Sequence, residues 1–267
     1  MKIMKPGSKK VTEMSKSENA VSEVVDFVLI LGIMLLAISI ITLFGMPALT
    51  ALQDNGHTEN IKQSHIVLAD NINKIVFGNT PSQSVELKMY GGGGVWVIGD
   101  SSINVTIQTW NSSNSSFESE SFTRQLREIR SEFETTAISY ENTGVWAKYD
   151  NQGVVIVKEP RFTFSDNIMI IPAATLLGTN GMSGEGLIRV VADGGSPSLF
   201  SYSNVSSVDI KIVSNYYEGW EKYLNESLGM HLVSKDDANK TILMRRDNFT
   251  ENIDVYIKYS PITATIK

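Results

Sequence analysis

From Phe27 to Phe44 the chain passes through eighteen positions without a charge, and apolar character continues more thinly to Leu52. Eighteen helical residues rise about 27 Å, close to the hydrocarbon thickness of a bilayer. A core helix keeps a polar face, whereas this run offers only Gly32, Ser39 and Thr42, so the pattern predicts a membrane helix over 21–52. Gly45, Pro47 and the triplet Asp54-Asn55-Gly56 are stop signals, so this helix is expected to kink or end there. Apolar positions then return at Ile61, His65, Leu68, Ile72 and Ile75, all on one helical face. That spacing predicts an amphipathic helix over 57–78, opened near Thr58 and stopped by Gly78. His65 lies on the apolar face with no ligand partner at i+4 and is expected to pack rather than bind metal.

After Gly78 the period falls from helical to alternating. "SVELKMY" and "VWVIGDSSINVTIQTW" are strand-like, and "GVWAKYDNQGVVIVKEP" is the clearest hairpin, turning at Asp150–Gly153. Further strands are expected at 162–164, 168–171, 187–192, 208–213, 241–245 and 253–259. Residues 216–229 form the one later helix pattern, with Trp220, Tyr223 and Leu224 on one side and Gly229 as the stop. "SFTRQLREIRSEFET" is ambiguous: Phe122, Leu126, Ile129 and Phe133 repeat at helical spacing between strand-like flanks. The expected fold is α+β: an N-terminal transmembrane helix, an amphipathic helix, and a mainly antiparallel, sandwich-like β domain over 79–267.

Charge orients this arrangement. Residues 1–20 carry five lysines against Glu13 and Glu18, a net +3, so a chain total of −6 leaves −9 for the remainder. Basic residues before an apolar span hold the N-terminus in the cytoplasm, which places the acidic body outside. An acidic body lacks the basic stripe of a nucleic-acid binder. The run is too long for the 7–15-residue core of a secretory signal and has no clean A-x-A site after it, so the helix is expected to remain as an anchor. There is no cysteine, hence no disulfide framework or thiolate site.

Glu23 and Asp26 stand at the entrance of the span. An acid at mid-membrane costs about 2.5–3.5 kcal/mol, falling toward the ends, and the positive end of the helix macrodipole favours it there. The combination of a lysine-rich leader, "AVSEVV" and a long apolar helix resembles the N-terminus of archaeal type IV pilin-like proteins. The body stretch "ISYENTGVWAKYDNQGVVIVKEP" resembles larger pilin-like surface proteins of methane-producing archaea.

The resemblance implies that 1–20 is a leader removed by a prepilin peptidase between Ala20 and Val21, while the helix is kept. It also implies that Glu23 or Asp26 pairs with the freed amine of a neighbouring subunit. Two features depart from the family pattern: Glu23-Val24-Val25-Asp26 stands where many archaeal pilins have Pro followed by Val-Ile-Gly, and neither acid is at the fifth mature position. The implied partners are membrane lipid, the peptidase and other pilin-like subunits, in a minor or tip subunit of a surface filament. The rival reading is an uncleaved single-pass protein displaying a binding module.

Little in the body points to catalysis. Gly91–Gly94 lacks the Lys-Ser/Thr of a phosphate loop and is followed by a strand pattern, so it is expected to be a flexible turn, as is Gly178–Gly186. His57, His65 and His231 show no metal spacing, and no nucleophile elbow or calcium loop occurs. No enzyme activity and no cofactor are expected. Seven Asn-x-Ser/Thr sequons, at Asn104, Asn111, Asn114, Asn204, Asn225, Asn239 and Asn248, are candidate glycosylation sites on the outer side.

Overall fold

The computed structural model describes residues 10–78, 80–111, 116–150 and 153–267, with side chains from Glu23 onward, Asn111 apart. Its elements are α1 (Lys10–Ile40), a π turn (Ile41–Gly45) and α2 (Met46–Phe77), followed by β1 (Ser82–Ile98), β2 (Ser102–Asn111), β3 (Ser116–Gln125), β4 (Glu128–Phe133), β5 (Thr136–Glu141), β6 (Gly144–Tyr149) and β7 (Gly153–Lys158). Then come β8 (Thr163–Ser165), β9 (Ile168–Leu177), β10 (Gly181–Gly194), β11 (Ser198–Val213), α3 (Tyr217–Glu226), β12 (His231–Asp236), β13 (Thr241–Arg246) and β14 (Ile253–Ile266). The chain divides after Gly56 into two compact units.

The first unit is helical, and every side chain from Glu23 to Gln53 is exposed. This is the one helix among the described residues long and apolar enough to cross a membrane. Its few hydroxyls are satisfied internally. Ser39 Oγ donates to Leu35 O at 2.7 Å and Thr42 Oγ1 to Ile38 O at 2.9 Å, so neither asks for a partner in hydrocarbon. Of the two outcomes expected at Gly45–Pro47, a kink or an end, the helix does not end. Proline lacks an N–H and its ring crowds the carbonyl four residues back. The chain answers with one wide turn, in which the Met46 N–H reaches Ile41 O, and continues as helix. Asp54-Asn55-Gly56 also stays helical, so the expected gap between the two helices is absent.

In the second unit the last five turns of α2 are the spine of the β body. Ile61, His65, Leu68, Ala69, Ile72, Asn73 and Val76 are buried, whereas Ile75 is only half-buried. Each Leu, Ile or Val so placed stabilises by roughly 1.5–3 kcal/mol. His65 Nε2 meets Ser131 Oγ at 2.7 Å, and burial pushes the imidazole pKa down to about 3, so it packs as a neutral ring.

The strands form one hydrogen-bonded sheet, ordered β12-β13-β11-β14-β10-β1-β4-β5-β6-β7, with β2–β3 joined at β11 and β8–β9 at β14. The α+β class and the mainly antiparallel body are as expected, and the β9–β14 ladder is parallel. Strand β11 changes partners at Val205, pairing β14 before it and β2 and β13 after it. Two apolar cores result. One lies under α2 and contains Leu68, Val97, Ile129 and Val190. The other gathers β2, β11 and β13 with Trp146 and the apolar side of α3.

One ambiguity is resolved and two expectations are corrected. The ambiguous segment is strand, β3 and β4 meeting at Arg127, whose φ is +59°. Gly91–Gly94 lies inside β1 and most of Gly178–Gly186 inside β10. These glycine runs are not flexible turns but partners, with Gly93 opposite Gly184 and Trp96 opposite Gly181. The hairpin of β6 and β7 forms as expected, although Asn151 and Gln152 at its tip lie outside the described residues.

Candidate functional site

Strand β4 alternates strictly. Ile129, Ser131 and Phe133 face α2, so Glu128, Arg130 and Glu132 share the opposite face. Register sets Glu128 beside Glu141, and Arg130 between Trp96 and Ser139. The segment leading into α3 closes over this row. Tyr216 donates its hydroxyl to Glu128 Oε2 at 2.7 Å, and Ser139 Oγ donates to the same oxygen. Arg130 pairs with Glu128 Oε1 and, at 3.1 Å, with Glu132. Glu141 instead meets only neutral donors: Ser214 Oγ and Trp220 Nε1, each 2.8 Å from Oε1.

Both carboxylates are sealed from solvent, Glu128 at 1% and Glu141 at 0% exposure. Burial, aided by the nearby Glu128 charge, raises the Glu141 pKa to about 7. Among the described residues no cation contacts Glu141, so nothing positive offsets the burial that favours its neutral form. Neither acid reaches a ligand. Their geometric role is to clamp the α3 segment onto the sheet.

Arg130 is the accessible edge of this network. Two pockets open beside it, of about 320 Å³ and 350 Å³, and both are lined by Arg130 and Asn215. The first adds Glu132, Glu134, Lys148 and Asp150, and the second Asp100 and Lys240. Lys240 Nζ donates to Asn215 Oδ1 at 2.6 Å, fixing the amide that separates them.

The positions singled out by sequence are spread more widely. Ala20 and Val21 fall within α1. Glu23 and Asp26 are exposed on the same helix, three residues apart and thus on one face. Asn104 sits mid-strand in β2, its amide donating to Thr123 Oγ1 at 2.6 Å. Asn204 occupies the β11 bulge with φ +60°, donating to Trp110 O and accepting from Asn252. The Asn225 amide closes the end of α3 on Met230 O, and Asn239 caps its turn on Asp236. Asn248 is exposed in the connection between β13 and β14. Asn111 ends β2, and Asn114 lies outside the described residues.

With this geometry in hand, one comparison is decisive. A family model described as a family of unknown function, DUF7289, matches residues 19–263. The chain belongs to the DUF7289 family. No curated protein and no solved structure matches it. The matched region of this DUF7289 chain includes Ala20, Val21, Glu23 and Asp26 as well as the Arg130 network.

Sequence reasoning missed Glu128, Arg130, Glu141, Tyr216 and Trp220 as a group. One signal was present: in "EIRSEF" every second residue of the first five is charged, the signature of a strand with a polar face. The helical spacing of the apolar residues hid it.

Proposed function

We propose that this chain is a non-enzymatic, pilin-like surface subunit. Its apolar helix rests in the plasma membrane with the N-terminus in the cytoplasm, and its β body is displayed outside. Removal of the leader between Ala20 and Val21 by a prepilin peptidase frees an amine, and the helix then leaves lipid to pack with those of other subunits. Glu23 or Asp26 meets that amine on a neighbour. A charge pair in apolar surroundings enforces register, because any other register leaves the acid unpaired.

The observation that carries this reading is the division of labour along one helical stretch. No side chain from Glu23 to Gln53 is buried, yet Ile61 to Val76 of α2 forms a core face of the β body. The first stretch is left free for lipid or for other helices.

The test is the N-terminal residue of the protein isolated from its native membrane, read by peptide mass spectrometry. A start at Val21 is expected. A retained Met1 with its lysines would replace assembly by an uncleaved, single-pass display protein.

A further inference from the structure

We propose that Asn248 carries an N-linked glycan on the folded body, and that the sequons at Asn104, Asn204, Asn225 and Asn239 do not. This rests on the outward display of the body proposed above, because Asn-x-Ser/Thr acceptors are used on surface loops of exported segments.

The chemistry sets two demands. The Asn amide Nδ2 attacks the anomeric carbon of a lipid-linked glycosyl phosphate. A C–N bond forms as the C–O bond to phosphate breaks, the phosphate leaves with that electron pair, and a base of the transferase takes one amide proton. The transferase also reads the hydroxyl two residues on. Both the amide and the hydroxyl must therefore be free to leave their surroundings.

Four sequons fail both demands. The Asn104 amide donates to Thr123 Oγ1 at 2.6 Å, and the Thr106 hydroxyl to Asn104 Oδ1 at 3.1 Å. The Asn204 amide is 2.9 Å from Trp110 O, and Ser206 Oγ is 3.1 Å from Gln108 O. The Asn225 amide is 2.8 Å from Met230 O, and Ser227 Oγ is 3.4 Å from Glu159 Oε2. At the last, the Asn239 amide is 2.7 Å from Asp236 Oδ2, and Thr241 Oγ1 is 2.9 Å from Asn239 O. Transfer at any of these would first have to break bonds that hold a strand, a bulge, a helix end or a turn.

Asn248-Phe249-Thr250 meets both demands. It lies outside regular structure in the connection between β13 and β14, with Asn248 and Thr250 exposed and Phe249 half-buried between them. Among the described residues, neither the Asn248 amide nor the Thr250 hydroxyl has a hydrogen-bond partner. The segment is nevertheless held in place. The Phe249 ring lies 5.8 Å from that of Phe164, and the Arg246 guanidinium sits over both rings. Asn252 ties the far end, its amide donating to Asn204 Oδ1 at 2.7 Å. An anchored ring between two unengaged polar side chains presents the acceptor without any loss of native contacts.

The test uses the full-length chain isolated from its native membrane. Its tryptic peptide 247–258 contains Asn248 as the sole sequon, and mass spectrometry should find it shifted upward by an oligosaccharide mass. Peptides bearing Asn104, Asn204, Asn225 and Asn239 should be unshifted. Asn248→Gln, and Thr250→Ala, which keeps the asparagine, should each lose the added mass while circular dichroism stays unchanged. An unshifted 247–258 peptide, a glycan on any of the four other asparagines, or added mass retained in Thr250→Ala would overturn the proposal. Protease treatment of intact cells separates the two ways of failing. A bare Asn248 on a body that is cut from outside rejects the site alone, whereas a bare Asn248 on a protected body rejects the outward display as well.

Discussion

The Tyr216 hydroxyl donates to Glu128 Oε2 at 2.7 Å across 88 residues of chain, tying the entrance of α3 to a carboxylate in the middle of the sheet. Tyr216 is 1% exposed, and the same hydroxyl lies 2.7 Å from Ser139 Oγ. Removing it leaves the buried Glu128 with one donor fewer. Tyr216→Phe should therefore lower stability by about 1–3 kcal/mol, measured by denaturant unfolding in micelles. An unchanged midpoint would mean that water enters the network and that α3 is not clamped as described.

Two buried groups predict a pH dependence of opposite signs. Glu141 titrates near 7, above its ordinary 4.5, so the folded state holds its proton longer than the unfolded state does. Its contribution is fully present below pH 4.5 and is lost as pH rises toward 7. His65 titrates near 3, below its ordinary 6.5, so its contribution is present above pH 6.5 and is lost as pH falls. Between pH 4.5 and 6.5 the two slopes oppose each other. Glu141→Gln keeps an acceptor for Ser214 and Trp220 and removes one slope. Its melting temperature should rise with pH over that window more steeply than that of the parent chain. Parallel curves would show that Glu141 is already ionised there.

Much of this architecture was legible in the chain, and the failures have specific causes. The buried face of α2 was visible because Ile61, Leu68 and Ile72 keep a helical period. The stop signals before it failed for two reasons: the π turn over Ile41–Gly45 makes room for Pro47, and a helical glycine such as Gly56 costs only about 1 kcal/mol, less than the packing of the turns that follow it. Phe122, Leu126, Ile129 and Phe133 imitated a helix for another reason. Phe122 and Leu126 fill one core, and Ile129 and Phe133 fill the other, so two strands feeding two layers produced one apparent period. The glycine runs look like turns locally and become strand only by pairing with each other. Glu128 and Glu141 are adjacent through register alone, which no spacing in the sequence announces.

That glycine pairing is open to a direct test. A Cβ on Gly181 would collide with the Trp96 ring and crowd Val95 O. Gly181→Ala should destabilise the body, and the penalty should shrink when Trp96→Ala is present. It should not vanish, because the clash with the Val95 carbonyl remains. Neighbours in contact commonly couple by about 0.5–3 kcal/mol in such a cycle. Strict additivity would mean that the indole does not rest on Gly181.

The acids at the membrane entrance give the sharpest functional prediction. Glu23 and Asp26 are both exposed on α1 and lie about 60° apart around the helix by its 3.6-residue period, so either can face a neighbouring subunit. Glu23→Ala alone should insert and be processed normally, since an interfacial carboxylate is not needed for either step. Filament incorporation should fall, measured as the share of tagged subunit in sheared surface filaments against membrane. With Asp26→Ala added, no acid remains at the joint, and incorporation should fall further while membrane levels hold. Normal filaments from the double variant would sink the pairing idea and leave the two carboxylates as ordinary partners of a helix N-terminus.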